Sequence, residues 1–317
     1  MAVPDWPTTY GYNMFFFPIS HWVGGVFYEH THRLFASFVG LLTTILAVWV
    51  GLKESRGWVR ILAGVAFILV VAQGVLGGLR VVLIKDQIGI LHGMLAQTFL
   101  VVVSLIAFAT SRAWRRLEDS SVVKVSASVR SGLSLAMTLV FLQLVLGATM
   151  RHQHAGLAVP DFPLAYGKVC PALDDASIER INQGRVDVGG FKPVTAFQIV
   201  LHMAHRFGAV AALIAVAASV WRVRKEMAAQ PQVVRLASAW LVLILCQAGL
   251  GAATVWSDKA ADITTAHVVG GAISLVVGGI LVAATRRLHF LQTGSATGFE
   301  AGFVRREAST GRVVSVA

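Results

Sequence analysis

The sequence predicts an all-α polytopic membrane protein made of two pseudo-symmetric four-helix bundles, with seven spans present and the first helix of the first bundle missing. Three observations predict this: a composition too apolar for water, seven apolar runs of membrane-crossing length, and a repeat that returns the same landmarks in the same order. Of the 317 residues, 56% are hydrophobic and 14% charged, and the mean hydropathy is +0.70. A soluble domain is about a quarter charged, so this chain cannot cover itself with polar groups and lipid must be its solvent. The formal charge of +11 does not point to nucleic acid, because the cations stand in short clusters between apolar runs and not on a stripe with exposed aromatics. Cys170 and Cys246 are too few and too far apart for a disulfide framework or a thiolate metal site. No cleavable signal is expected at the start, where Met1 to Pro7 are polar and proline-broken.

Apolar runs of roughly 20 residues cross a bilayer. They fall at about 29–52, 58–82, 87–111, 131–151, 195–221, 233–256 and 262–285. Lys and Arg then set the direction, since they collect on the cytoplasmic side. Lys53, Arg56 and Arg60 follow the first run, and Arg112, Arg115, Arg116, Lys124 and Arg130 follow the third. Arg222, Arg224, Lys225 and Arg235 follow the fifth, and Arg286-Arg287 follow the last. All fall on one side, which places residues 1–28 and about 152–194 outside and the C-terminus in the cytoplasm. The expected organisation is an N-terminal half-bundle over 1–125, a C-terminal half-bundle over 126–290, and a disordered cytoplasmic tail over 291–317. Multi-pass insertion in the cell (inner) membrane is the localisation expected.

The chain contains itself twice. Ala2-Val3-Pro4-Asp5-Trp6-Pro7 with Tyr10-Gly11 returns as Ala158-Val159-Pro160-Asp161-Phe162-Pro163 with Tyr166-Gly167. His32-Arg33 returns as His205-Arg206, Gln73-Gly74 as Gln247-Ala248, and His92 as His267. In the second half a span at about 131–151 precedes the Ala-Val-Pro-Asp loop, and in the first half that loop stands at the start of the sequence. A first helix is therefore expected to be absent, through a start codon assigned too late or through truncation.

Four histidines lie within the apolar runs and form two pairs, His32 with His92 and His205 with His267. Ionisable residues at membrane depth are costly and usually mark function. Each pair comes from two spans separated by one other, the spacing of facing helices in a four-helix bundle, and all four fall in the outer half. Neutral imidazole ligates iron well, and bundle cores house cofactors between facing helices. Two opposed imidazoles suit axial ligation of a flat iron porphyrin. The competing reading of each histidine is a helix–helix hydrogen bond or a proton relay. His21, His30, His152, His154 and His289 fall in loops or at span ends and read as interfacial or solvated. His202, one turn before His205, shares its face and could touch a cofactor.

Glu29 sits one turn before His32, and its counterpart in the second half is His202. A Glu-x-x-His pair can belong to a di-iron carboxylate bundle, but the spans carry essentially no further carboxylates. A helix-start carboxylate favoured by the dipole is the plainer alternative. Arg33, Arg80, Arg151 and Arg206 lie near the outer boundary. They are candidate partners for anionic porphyrin propionates, or cations snorkelling to the interface. Gly77-Gly78 and Gly249-x-Gly251 allow close helix approach, and Gln73 and Gln247 read as interhelical glue.

These residues resemble those of the heme A synthase family, from Ala2 to about Arg287. The resemblance rests on the doubled loop, Glu29-His30-Thr31-His32-Arg33, His92-Gly93, His202-Met203-Ala204-His205-Arg206 and His267. It implies eight helices in two bundles, a heme b held by His205 and His267, and a heme substrate between His32 and His92 with Glu29 as the catalytic carboxylate. It implies oxidation of the C8 methyl of heme O to a formyl group, giving heme A for cytochrome oxidase. It also implies a heme O synthase, oxidase assembly factors and an electron donor as partners. Some members carry cysteine pairs in the outer loops, which this chain lacks. The alternatives are a di-heme b-type membrane electron carrier and a heme transporter or chaperone.

Overall fold

A computed structural model describes residues 2–118, 124–189 and 193–310, side chains of 118, 186–189 and 292–310 excepted. The long helices are α1 (Gly24–Lys53), α2 (Gly57–Leu83), α3 (Asp86–Thr110), α5 (Ala127–His152), α7 (Ala196–Glu226), α8 (Pro231–Trp256) and α9 (Ala261–Thr310). Two shorter ones, α4 (Arg112–Glu118) and α6 (Asp175–Gly189), lie in the connections after α3 and α5. The seven long helices, α9 counted through Leu291, are long and apolar enough to cross a membrane. The chain is a multi-pass membrane protein. Of the disordered tail expected over 291–317, α9 continues in backbone to Thr310 and residues 311–317 lie outside the described residues.

Local chemistry sets the helix ends. Thr195 and Gln198 cap α7 reciprocally, each side chain taking the other's backbone N–H. Ser126 accepts from Val129 N at the start of α5, and Pro231 opens α8, where its missing N–H costs nothing. Inside the spans, hydroxyls are satisfied one turn back: Thr43 donates to Val39 O, Ser219 to Ala215 O, Ser274 to Gly270 O and Thr285 to Leu281 O. Helix α6 was not expected within the outer loop. Its first turn is held by Asp174, whose carboxylate accepts from Ser177 N at 3.0 Å. Ile178 and Ile181 then pack onto the apolar cluster around Met150, Val159 and Ile199. Asn182 closes the return by exchanging bonds with the Val194 backbone, at 3.1 and 2.8 Å.

In the second half, α5 packs against α7 and α9, and α8 packs against the same two. The four make a closed ring in which α7 and α9 occupy opposite corners. Leu133, Val216, Trp240 and Leu275 fill it, each almost fully buried. The Trp240 indole donates to Ser274 O at 2.8 Å, so its one polar atom is satisfied at depth. In the first half α1 packs on α2 and α2 on α3, and α3 joins the halves by packing against α5 and α9.

The doubled loop folds the same way twice. Asp5 accepts from Tyr10 N and Gly11 N, both at 2.8 Å, and Asp161 accepts from Tyr166 N and Gly167 N at 2.7 and 2.9 Å. Gly11 and Gly167 close these turns at φ +78° and +74°, where a side chain would be strained. The Tyr10 hydroxyl donates to Ala2 O and the Tyr166 hydroxyl to Ala158 O. Partial burial pushes the Asp5 carboxyl up, but bonds from Gly11, Thr8 and Tyr10 outweigh it and hold the group below its ordinary range.

Candidate heme-binding sites and the family

Each doubled loop is hooked to the helix beneath it by an arginine. Arg33 donates to Asp5 O (2.8 Å), Thr8 O (2.9 Å), Val3 O (3.3 Å) and the Glu29 carboxylate (3.1 Å). Arg206 donates to Leu164 O (2.8 Å), Val159 O (3.2 Å) and Asp161 O (2.6 Å), and stacks over Phe162. Both were candidate propionate partners. The structure gives their guanidinium donors to loop carbonyls instead. The side chains of Arg80 and Arg151 make no hydrogen bond among the described residues. Arg80 is an electrostatic neighbour of both His92 and His152, and Arg151 of His152. Their donors are the ones left for an anionic group at this edge.

Glu29 is also turned to its loop. Its Oε2 accepts from Ala2 N at 2.7 Å and Val3 N at 3.2 Å, while Oε1 meets Arg33. His202 holds the matching place in the second half, its Nδ1 accepting from Val159 N at 3.3 Å. It is buried against the loop. His30, expected at a solvated span end, is fully buried. The segment over 13–23 folds back across it, so that Thr9 Oγ1 lies 3.2 Å from its Nδ1 and Phe17 and Trp22 pack on its ring. His152 is half-buried and lies against Gly89 of α3, whereas His21 and His154 are exposed.

His32 is on α1 and His92 on α3; His205 is on α7 and His267 on α9. His32 is an electrostatic neighbour of His92, and His267 of His205. Each expected pair is thus brought together from two different helices. His92, His205 and His267 are partly buried, and His32 is exposed. The Nδ1 atoms of His92 and His267 are buried with no hydrogen-bond partner. A buried imidazole without partners costs free energy unless something else takes its lone pair. Among the described residues no three His, Cys, Asp or Glu side chains gather as an ion-binding cluster. Two imidazoles suffice for iron whose other four donors come from a macrocycle. The residues present fit a porphyrin on these grounds: paired imidazoles, orphaned ring nitrogens, and glycine backbones against the rings.

The family model for "cytochrome oxidase assembly protein" matches residues 3–278. The chain belongs to that family. It is 28% identical over 237 residues to a heme A synthase of Symbiobacterium thermophilum, covering 73% of this chain and 70% of the relative. A heme A synthase of Shouchella clausii is likewise 28% identical, over 241 residues and the same shares. One of Alkalihalophilus pseudofirmus is 32% identical over 151 residues, 46% of this chain and 49% of the relative. The family's matched stretch contains both histidine pairs, both doubled loops and Glu29.

The sequence reading missed Gln143 and Gly147 of α5. Gln143 Nε2 donates to His205 O at 2.7 Å and lies 3.1 Å from His205 Nδ1. The signal was present, because Gln143-x-x-Leu146-Gly147 repeats Gln73-x-x-Leu76-Gly77 and Gln247-x-x-Leu250-Gly251. Arg185 was missed as well. It is buried and donates to Leu157 O and the Tyr166 hydroxyl, tying α6 to the loop. Cys170 and Cys246 are free and exposed.

Proposed function

We propose that this chain is a heme A synthase, oxidising the C8 methyl of heme O to the formyl group of heme A. The observation that carries the reading is the pair of neighbouring imidazoles in each half, within a chain whose relatives bear that name. His205 and His267 hold a resident heme b in the closed ring, and His32 and His92 seat the substrate between α1 and α3. A heme bound by two imidazoles supplies one-electron chemistry, and the protein orients it and tunes its surroundings.

The residues of this chain then divide the work. The outer loops, held by Arg33 and Arg206, cover the mouths of the two halves and limit water. Arg80 and Arg151 keep donors for propionates. Glu29 stands one helical turn from His32, so release of its oxygens from Ala2 and Val3 would present a carboxylate beside the substrate. There it holds or moves a proton, or stabilises positive charge developing near the methyl carbon. Orientation by positive charge puts the loops outside and the C-terminus in the cytoplasm of a cell membrane. A heme O synthase, oxidase assembly factors and an electron donor are the partners this reaction requires.

Glu29's bonds to Ala2 N, Val3 N and Arg33 favour one competing reading, a di-heme b-type electron carrier, by giving the carboxylate a task that needs no chemistry. Expression beside a heme O source followed by pigment extraction separates the two. Heme A in the extract is expected, and Glu29→Gln should remove it while bound heme b persists. Wild-type extracts holding heme b and no heme A would install the electron carrier in its place.

A further inference from the structure

Three of the four imidazoles rest on the same five-residue turn of a neighbouring helix. Gln73 to Gly77 on α2 meets His92, Gln143 to Gly147 on α5 meets His205, and Gln247 to Gly251 on α8 meets His267. In each the glycine lies under the ring. A Cβ added there would stand 3.4, 3.2 and 3.4 Å from the Cε1 atoms of His92, His205 and His267 respectively. At Gly147 an added Cβ would push the His205 ring back by a few tenths of an ångström, and at Gly77 and Gly251 it would stand at the limit of ordinary contact, so the glycines let each ring edge approach the helix backbone closely.

The glutamine, one turn earlier, grips the histidine's own helix. Gln73 Nε2 donates to His92 O at 2.8 Å, and Gln143 Nε2 to His205 O at 2.7 Å. A helical carbonyl keeps a second lone pair after its own ladder bond, so these are additional bonds between helices. In the second half the amide also drops into a notch three residues after the histidine. A Cβ on Gly208 would come within 2.4 Å of Gln143 Oε1, and one on Gly270 within 1.9 Å of Gln247 Nε2. Gln247 enters its notch with the amide turned end for end relative to Gln143, and its Nε2 is buried there without a hydrogen-bond partner.

We propose that these Gln-x-x-Leu-Gly turns are cradles that fix the ring planes of the heme-ligating histidines. The glutamines and glycines are positioning residues, acting through His92, His205 and His267. The glycine sets how closely the ring approaches the neighbouring helix, and Gln73 and Gln143 fix the axial register of the helix that carries the histidine. A glycine contact alone would bring helices together but leave the ring free to turn. In the second half Gln143 also touches the ring itself, its Nε2 standing 3.1 Å from His205 Nδ1. This deepens the reading of bis-imidazole heme sites and rests on it.

The test is the low-spin ferric EPR spectrum of the purified protein, whose g values follow the angle between the two axial imidazole planes. Gln143→Leu and Gln247→Leu are expected to keep the second-half heme at wild-type stoichiometry while shifting and broadening its largest g value. Leu142→Ala, on the exposed side of α5, is the control and should leave the signal in place. Unmoved g values in both glutamine variants, with heme bound, would overturn the cradle alone. So would loss of heme together with loss of a monodisperse folded species, which would assign the glutamines to helix packing. Wild-type protein without a bis-imidazole spectrum would overturn the underlying heme reading, and the cradle with it.

Discussion

The two halves carry the same histidines in different surroundings. In the second, α5, α7, α8 and α9 close a ring, His205 rests on α5 and His267 on α8. In the first, the described residues give three helices, His92 rests on α2, and His32 is exposed. The acid differs too, Glu29 standing where the second half has His202. A closed ring with both imidazoles supported suits a resident group that stays. A pair beside a carboxylate suits one that is bound, altered and released, which is the division proposed above.

The sharpest way to break the comparison is to remove one imidazole from each half. His205→Ala should cost about one heme equivalent per chain and the low-spin bis-imidazole spectrum, read by pyridine hemochrome and EPR. His32→Ala should leave that spectrum in place, and equal losses in both variants would erase the distinction between resident and substrate sites.

The hooks come next. Arg33→Ala leaves the Glu29 carboxylate, only 20% exposed, without its cation, and opening a buried pair costs about 3 kcal/mol. Arg206→Ala loses bonds to loop carbonyls alone, about 1–3 kcal/mol. The thermal midpoint in detergent should therefore fall further for Arg33→Ala. The reverse order would make Arg206 the stronger tether.

Smallest is the turn carboxylate. Asp5 titrates below its ordinary range in the folded chain, so its contribution is present above the unfolded value of about 3.9 and disappears as pH falls through the lowered folded value. Asp5→Asn should cost a degree or two in thermal midpoint at neutral pH and nothing in strong acid. A difference that persists in acid would locate the effect in something other than charge.

Much of the site was legible because apolar length and landmark order are properties of the chain itself. Seven helices stand where seven apolar runs are, and His32, His92, His205 and His267 come together in the expected pairs. What escaped was relational. Gln143-x-x-Leu146-Gly147 repeats segments of α2 and α8, but a repeat aligned on its loops and histidines does not set α5 against either of them. Arg33 and Arg206 bond to backbone carbonyls, which carry no residue signature, and so read as free cations. His30 is buried by a strap over 13–23 that has no period of its own. The pattern that did announce α6, Asp174 before Ile178 and Ile181, was hidden within a polar stretch.

The adjacency of Arg33 to His32 and of Arg206 to His205 has a mechanical consequence. The residue that latches each outer loop is covalently next to an imidazole, so strain on a loop is transmitted across a single peptide bond to the ring. An event at the outer surface, such as docking of another protein on the Asp161 turn, would be felt at the imidazole without any domain motion between them.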